Sequence, residues 1–236
     1  MVEKEVVLIT AGARRVGSHL CKALTQGGYH VVLHYCQSRD AALDMQKELS
    51  CAIVQADLRD KSGLKQMFTE ATSAYGRVDH LINNASEFPS LTMEQTTIEA
   101  YDSLMDLHAT APFFLSQYLY LHLKERSAQG SVINILDSKL SSPTKSRPAY
   151  YCAKGALLMQ TKALASAFAP IVRVNAISPG AILSNGDDAY FVAMKQRLPL
   201  KRTGSTADVY RAVDYLLHAC FVTGEELVVD GGQRLL

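Results

Sequence analysis

The chain has 236 residues, of which 48% are hydrophobic and 20% charged, and its formal net charge is +1. This length predicts one α/β domain over residues 1–236 with a sizeable core and is short for two domains, and the composition is ordinary for a soluble globular protein. The nearly neutral charge lacks the electrostatic signature of a nucleic-acid or membrane-surface protein, so neither partner is expected.

Short apolar, β-branched runs alternate with longer amphipathic segments along the chain. The predicted strands lie at 5–10, 30–35, 51–58, 78–86, 130–136, 172–178 and 225–232. The predicted helices lie at 16–26, 39–50, 64–76, 101–126, 149–168 and 206–219. This order predicts a single-domain, Rossmann-type doubly wound parallel sheet with helices on both faces. Loops 138–148 and 179–190 follow strands and should lie at the carboxyl edge, where such sheets bind ligands.

The cysteines and the first residues indicate a cytoplasmic protein. Five scattered cysteines show no C-x-x-C pair and no metal-ligand spacing, which is typical of reduced thiols, and no metal is expected. The start, MVEKEVVLIT, contains acidic residues and leads directly into a strand, unlike a signal peptide. Lys162 interrupts the apolar run GALLMQTKALASAFAPIV, so no membrane span is predicted.

A glycine-bearing turn, TAGARRVG at residues 10–17, follows the first strand and leads into a helix. At such a turn, backbone N–H groups and the positive end of the helix can approach a pyrophosphate. Because only Gly12 and Gly17 are glycines, a tight connection without a ligand explains this stretch equally well.

The end of the second predicted strand favours NADPH over NADH. An NAD site needs an acid here to bind the ribose hydroxyls, but LHYCQSRD places Ser38 and Arg39 before the first acid, Asp40. Arg14 in the first turn adds a second cation. Guanidinium groups pair with phosphate oxygens in bidentate fashion, so these residues suit a 2′-phosphate. The alternative is that Arg14 and Arg39 are solvated surface charges.

Tyr150 and Lys154 are four residues apart at a predicted helix start and therefore share one helix face. A phenol ordinarily titrates near pH ~10. A neighbouring ammonium would lower the pKa of Tyr150 and make it an acid or base closer to neutrality. The alternative is a packing tyrosine with an exposed lysine. Spacing alone also allows Tyr151, which is three residues from Lys154.

These motifs, in this order, resemble the short-chain dehydrogenase/reductase family over essentially the whole chain. They are Thr10–Gly17, Asp57, NNA at 83–85, Tyr150-x-x-x-Lys154, SPG at 178–180 and VDGG at 229–232. Within this family, the chain is most similar to the pteridine reductases, including the dihydromonapterin and dihydrofolate reductase branch. The family register selects Tyr150 over Tyr151.

Five features carry the similarity to pteridine reductases. They are Arg15 in place of the middle glycine, LHY with a serine three positions beyond, NNAS followed by Phe88, Asp137 in place of a serine, and the tail VDYLLHACFVTGEELVVDGGQRLL. Three positions depart from family patterns: Ala11 in the first-glycine place, His108 where many members have an asparagine that supports a water, and CQS at 36–38 without a basic residue.

The resemblance implies NADPH as the cofactor. Its contacts would come from Gly12, Arg14, Arg15, Val16, Gly17, Tyr35, Ser38, Arg39, Asp57, Leu58, Asn84, Ala85, Ser86, Pro179, Gly180 and Ile182. Asp57 would hydrogen-bond the adenine, while Asn84 and Ala85 would line the adenosine ribose. Ser184 would join Pro179 and Gly180 beside the nicotinamide amide.

Asp137 argues against a ketone substrate and favours a pterin. Ketone reduction builds negative charge on an oxygen, which a serine hydroxyl stabilises by donating a hydrogen bond. A carboxylate cannot donate, and its charge opposes that oxyanion. It suits a substrate with N–H groups or a protonated imine, and a dihydropterin offers both. The alternative is that Asp137 is an exposed loop acid and that Ser138 takes the place of the serine after a one-residue slip.

The expected reaction is NADPH-dependent reduction of a dihydropterin (dihydromonapterin, dihydrobiopterin or dihydrofolate) to the tetrahydro form by hydride transfer to a C=N bond. The expected catalytic residues are Asp137, Tyr150 and Lys154. Substrate contacts would come from Arg15, Ser86, Phe88, Asp137 and Tyr150. Phe88 would cover one pterin face and the nicotinamide the other, and the alternative is that Phe88 is an ordinary core residue. Residues 185–195 are expected to form a lid over this site.

Two other functions stay open at this point. One is a generic carbonyl reductase, such as a 3-oxoacyl thioester reductase, which Asp137 and Arg15 argue against. The other is a non-catalytic dinucleotide sensor, which has no chemical need for Tyr150 and Lys154. The resemblance also implies a homotetramer built on two long helices. The apolar run FFLSQYLYLHL suits such an interface, although a helix that faces the core has the same sequence pattern.

Overall fold

The computed structural model describes residues 4–183 and 188–236. Within these ranges the strands are β1 (Val6–Ile9), β2 (His30–Tyr35), β3 (Ala52–Gln55), β4 (His80–Asn83), β5 (Gly130–Ile135), β6 (Val172–Pro179) and β7 (Glu226–Val229). The helices are α1 (Arg15–Gln26), α2 (Arg39–Leu49), α3 (Leu64–Ser73), α4 (Ile98–Met105), α5 (Ala111–Glu125), α6 (Pro148–Phe168), α7 (Asp188–Arg197) and α8 (Thr206–His218).

The predicted doubly wound parallel sheet is confirmed. The strands form one sheet in the order β3-β2-β1-β4-β5-β6-β7, and every adjacent pair is parallel. After β3 the chain returns to the far side of β1 and continues outward with β4, so the strand order reverses between β1 and β4. Ligands of such sheets bind at this switch point, outside the carboxyl ends of the strands.

Both faces of the sheet are covered, which explains why most strand residues are apolar. On β1, Val6 and Leu8 face a core cluster that includes α3, α5 and α6, while Val7 and Ile9 face a second cluster that includes α1, α2 and α8. No helix in residues 4–183 and 188–236 has both the length and the apolar character needed to cross a membrane.

Two predicted segments differ from the structure. The helix expected at 101–126 begins earlier, at Ile98, because the Thr97 side chain accepts a hydrogen bond from Ala100 N and caps it. A π-helical turn at Asp106–Thr110 then divides it into α4 and α5. The loop expected at 179–190 ends in α7, whose sequence DAYFVAMKQR contains no glycine or proline. Most of the expected lid at 185–195 is therefore helical, while Ser184 and positions 185–187 lie outside the described residues.

Buried side-chain hydrogen bonds tie β4 and β5 to α6. Asn83 Nδ2 donates to Asn134 Oδ1 at 2.8 Å, and Asn134 Nδ2 donates to Thr161 Oγ1 at 2.9 Å. All three side chains are buried. A buried amide is costly to leave unpaired, so these bonds hold the loops that follow β4 and β5 at a set distance from α6.

Replacing Thr161 with the nearly isosteric valine removes the acceptor of Asn134 Nδ2. We expect Thr161→Val to lower the free energy of unfolding by about 1–3 kcal/mol, the cost of a buried donor without a partner. Urea denaturation measures this change. The Thr161 hydroxyl also donates to Leu157 O at 2.9 Å, a bond that valine removes as well. The matched control is therefore Thr69→Val, because the exposed Thr69 hydroxyl donates in the same way to Lys65 O at 2.9 Å and accepts no bond from another side chain among the described residues. Equal losses in the two variants would contradict the role given to the buried bonds.

Candidate active site

Two clefts at the carboxyl edge contain most of the predicted site residues. The first has a volume of about 220 Å³, and its lining includes Arg14, Tyr35, Ser38, Asp57, Leu58, Ala85 and Ser86. The second has a volume of about 250 Å³, and its lining includes Arg15, Val16, Phe88, Asp137, Tyr150, Pro179, Gly180 and Ile182. The fold therefore brings together residues that follow β1, β2, β3, β4, β5 and β6.

The turn after β1 is shaped by close backbone packing. A Cβ on Gly17 would meet the Ala11 carbonyl oxygen and would lie 2.8 Å from Asn84 Nδ2. That amide donates to Thr10 O at 3.0 Å and to Ala11 O at 3.2 Å. Asn84, predicted to line a ribose, thus also holds the turn, and glycine is required at position 17 because the turn has no room for a side chain.

Two residues in this turn adopt the left-handed backbone that glycine tolerates best. Ala11 has φ +51° and Arg15 has φ +55°. These are the positions where the sequence departs from the glycine pattern of the family. The backbone therefore keeps the glycine-like conformation at both positions, and at position 15 the chain carries a guanidinium group at the second cleft.

His34 supports the same turn, a role that the sequence analysis did not assign to it. Its Nδ1 accepts from Ala11 N at 3.2 Å, so Nε2 carries the proton and donates to Ala56 O at 3.1 Å. Burial lowers the pKa of His34 to about 4, which keeps the ring neutral. One imidazole on β2 thus connects the loops that follow β1 and β3.

The cations of the first cleft differ from the prediction in one respect. Arg14 and Ser38 line it as expected, whereas Arg39 is exposed at the start of α2 and is not part of the lining. Arg59, which the sequence analysis did not select, lines the cleft instead. Its guanidinium forms an ion pair with Glu87 and lies 3.7 Å from Asp57 Oδ2.

Asp137 and Tyr150 form a hydrogen-bonded pair in the second cleft. Tyr150 OH donates to Asp137 Oδ2 at 3.1 Å, and Asp137 Oδ1 accepts from Lys139 N at 2.8 Å. The aspartate therefore sits against the tyrosine instead of pointing away as a loop acid. The neighbouring Ser138 is buried, and its Oγ has no hydrogen-bond partner among the described residues.

Lys154 lies beneath this pair with 1% of its surface exposed. Its Nζ donates to Ile135 O at 2.6 Å. Burial lowers the pKa of Lys154 from 10.5 to about 8, while the Asp137 charge acts in the opposite direction. The alternative of an exposed lysine is excluded.

The expected lowering of the Tyr150 pKa is wrong for this structure. The pKa of Tyr150 is raised well above 10, first by burial and then by the charge of Asp137. Both effects favour the neutral phenol over the phenolate. Spacing alone suggested that the ammonium would set the pKa, but the carboxylate is the hydrogen-bonded neighbour. Tyr150 therefore holds its proton firmly.

Phe88 lies in the loop after β4, and 39% of its surface is exposed. Its ring packs edge-to-face on Tyr150 with the centroids 4.7 Å apart. The Arg147 guanidinium carbon lies 4.0 Å from the Phe88 centroid and covers a ring face. The sequence analysis did not select Arg147, because a cation immediately before a helix is usually interpreted as a solvated charge.

His108 holds the start of that loop. Its Nε2 accepts from Glu87 N at 3.2 Å and lies 3.1 Å from Ser86 Oγ, so the proton sits on Nδ1, which donates to Leu104 O at 3.1 Å. Burial, with a smaller contribution from the Lys154 charge, lowers the pKa of His108 to about 2. With both nitrogens engaged by protein groups, His108 anchors the loop.

Gln233 is a further residue that the sequence did not single out. It is buried in the second cleft, where its Oε1 accepts from Ala181 N at 2.8 Å and its Nε2 donates to Tyr190 OH at 3.3 Å. A Cβ on Gly180 would lie 2.7 Å from Gln233 Oε1. The tail thus packs closely against the loop after β6 and contacts α7.

Comparison with known proteins places this architecture in a family. The family model described as enoyl-(acyl carrier protein) reductase matches residues 11–234. A Streptomyces violaceoruber protein, named as ketoacyl reductase 2 of the granaticin polyketide synthase, is 32% identical over 244 residues, covering 99% of this chain and 98% of that protein.

Proteins named for pterin or folate reduction match as well. A dihydromonapterin reductase of Escherichia coli O6:K15:H31 is 29% identical over 232 residues, covering 97% of this chain and 96% of that protein. The crystal structure of FolM alternative dihydrofolate reductase 1 from Brucella canis, complexed with NADP, has a TM-score of 0.92 and 30% identity. The match covers 98% of this chain and 95% of the Brucella canis chain.

The packing at Gly17 generates a prediction for the turn. We expect Gly17→Ala to destabilise the protein by about 1–3 kcal/mol, because the new methyl group displaces the Ala11 carbonyl or the Asn84 amide. Thermal or urea unfolding measures it. The control is Gly155→Ala in α6, where a Cβ meets nothing within 4 Å outside its own helix. That variant should be neutral or more stable by about 0.5–1 kcal/mol. A tolerated Gly17→Ala would show that the turn is not tightly packed.

Proposed function

The chain belongs to the short-chain dehydrogenase/reductase family, and we propose that it reduces dihydropterins with NADPH. The observation that carries the proposal is the hydrogen bond from Tyr150 OH to Asp137 Oδ2. In this arrangement a carboxylate would stand where a carbonyl-reducing site needs a neutral donor, and it would lie beside the protonated phenol of Tyr150. The similarity to dihydromonapterin and alternative dihydrofolate reductases supports this assignment.

The residues at the carboxyl edge fit a dinucleotide. No side chain among the described residues caps α1, whose first N–H groups and positive end suit a pyrophosphate beside Gly12 and Gly17. Arg14 and Ser38 in the first cleft suit a 2′-phosphate, and the NADP complex of the Brucella canis protein agrees with that choice. NADPH, when bound, would supply the hydride.

Asp57 and Leu58 would border the adenine end of this first cleft, and Pro179, Gly180 and Ile182 would border the nicotinamide end in the second. Arg39 would reach a 2′-phosphate only from outside the lining of the first cleft.

Asp137, Tyr150 and Lys154 would handle charge and protons in this reaction. The carboxylate attracts a substrate with N–H groups or a protonated C=N bond and repels a developing oxyanion. Tyr150 keeps its proton because its pKa is raised, and it holds that proton at the second cleft. Lys154 contributes a cation beneath the pair at neutral pH, since its pKa of about 8 leaves most of it protonated.

Carbonyl reduction is the competing function, favoured by the similarity to the Streptomyces ketoacyl reductase. Family membership alone does not separate the two functions, because the chain is 32% identical to the ketoacyl reductase and 29% identical to the dihydromonapterin reductase. The position of Asp137 favours the pterin. A homotetramer is part of the proposal, supported by the exposed side chains of Phe114, Leu121 and Met159 on α5 and α6. A cytoplasmic location stays a prediction.

The test is NADPH oxidation with dihydromonapterin, dihydrofolate and an acetoacetyl thioester in parallel, with NADH as the cofactor control. We expect turnover of the pterins and preference for NADPH. In Asp137→Ser, kcat/KM for the pterins should fall about 10- to 100-fold, as expected when a charge-assisted hydrogen bond worth ~1.5–3 kcal/mol is lost.

The matched control is Asp102→Ser, which removes an exposed carboxylate on α4 and should leave pterin turnover unchanged. Turnover of the thioester alone would overturn the pterin proposal. Pterin turnover that is equal in Asp137→Ser and the unaltered protein would remove Asp137 from the mechanism.

A pH profile tests Lys154 separately. Because burial lowers the pKa of Lys154 to about 8, the cation is present below this pH and is lost as pH rises through it. We expect kcat/KM, which reports the free enzyme, to fall above pH about 8. The Asp137 charge raises the pKa of Lys154, so the alkaline limb should move to lower pH in Asp137→Ser. A profile that stays flat to pH ~10, the range of an ordinary lysine, would contradict this role.

A further inference from the structure

Phe88 is held between two groups that begin α6. Arg147 lies directly before Pro148, and its guanidinium carbon is 4.0 Å from the Phe88 centroid. Tyr150, in the first turn of the helix, packs edge-to-face on the same ring at 4.7 Å. Phe88 itself is on a loop, and 39% of its surface is exposed.

The Arg147 side chain contacts the Phe88 ring and makes a single hydrogen bond among the described residues. Its Nε is buried and has no hydrogen-bond partner among the described residues, and Nη1 donates to Ser146 Oγ at 3.1 Å. The Arg147 backbone is fixed by Pro148 on one side and by the hydrogen bond from Tyr151 N to Arg147 O at 3.2 Å. A cation over a ring face is attracted by the ring quadrupole, more strongly where water is excluded.

We propose that Arg147 is a positioning residue that orients Phe88 as the aromatic wall of the pterin site. The cation covers one face of the ring and holds the ring against Tyr150. Phe88 and the Tyr150–Asp137 pair then form one rigid surface of the second cleft. The substrate meets only the part of Phe88 that Arg147 leaves open. This inference rests on the proposed function, because it assigns Phe88 to substrate binding.

The experiment compares Arg147→Met, which keeps length and removes the cation, with Arg147→Lys, which keeps a cation. Loss of the cation should raise KM for dihydromonapterin about three- to tenfold, as expected for a partly desolvated cation–π contact. The value of kcat should change less than about twofold, because the chemical groups stay in place. The affinity for NADPH, followed by its fluorescence, should not change. Arg147→Lys should recover most of the loss.

Two comparisons separate positioning from general effects. Lys145→Met removes an exposed cation from the same loop and should leave KM unchanged. In a Phe88→Leu background, Arg147→Met should cause no further rise in KM, since the ring on which Arg147 acts is gone. Additive effects of the two substitutions would overturn the proposal, as would an equal rise in Lys145→Met.

A substrate-free measurement tests the contact between Arg147 and Phe88 separately from the proposed function. The protein contains seven phenylalanines, and labelling with 4-fluorophenylalanine gives each a fluorine resonance. The resonance lost in Phe88→Leu should shift in Arg147→Met and stay unchanged in Lys145→Met. No shift in Arg147→Met overturns the contact. A shift together with an unaltered protein that reduces no pterin would defeat the proposed function and leave Arg147 as the residue that holds Phe88.

Discussion

The hydrogen bond of the buried Lys154 ammonium is the contact on which the arrangement of the second cleft depends. A cation removed from water needs a partner, and here that partner is the carbonyl of Ile135, 2.6 Å away at the end of β5. The bond joins α6 to the strand that leads into Asp137. Tyr150, one turn earlier on α6, is thereby held within hydrogen-bonding distance of the Asp137 carboxylate. The Tyr150–Asp137 pair is thus a consequence of how α6 docks on the sheet.

Two neutral histidines hold the loops that surround the clefts. His34 and His108 are both buried, and burial lowers the pKa of each far enough to keep the ring uncharged at neutral pH. Both nitrogens of each ring bond to backbone groups: His34 joins Ala11 N to Ala56 O, and His108 joins Glu87 N to Leu104 O, one turn earlier on its own helix. These bonds replace the strand-to-strand backbone hydrogen bonds beyond the ends of the strands, where neighbouring loops have no regular pairing. The arginines Arg59 and Arg147 add side-chain contacts to the loop that carries Glu87 and Phe88.

Local patterns were sufficient for the sheet topology because every strand and most of the helices carry their own signals. VVLI and HVVLHY read as strands from composition alone, and the strand–helix order leaves few parallel topologies. Residues at or just beyond the ends of strands, such as Asp57, Asp137 and Pro179, could also be assigned to one edge. The helix boundary at Ile98 and α7 were missed, because a capping threonine and a run of helix formers after a loop are weak local signals.

The sequence by itself determined the doubly wound sheet, the turn at Thr10–Gly17 and the residue types gathered at the carboxyl edge, since these follow from periodicity and from where strands end. Only the tertiary structure decided which charge lies beside which group. The direction of the Tyr150 pKa, the contact of Arg147 with Phe88 and the exclusion of Arg39 from the first cleft all depend on it. Burial and distances across segments set electrostatic energies, and neither is encoded in the spacing of residues along the chain.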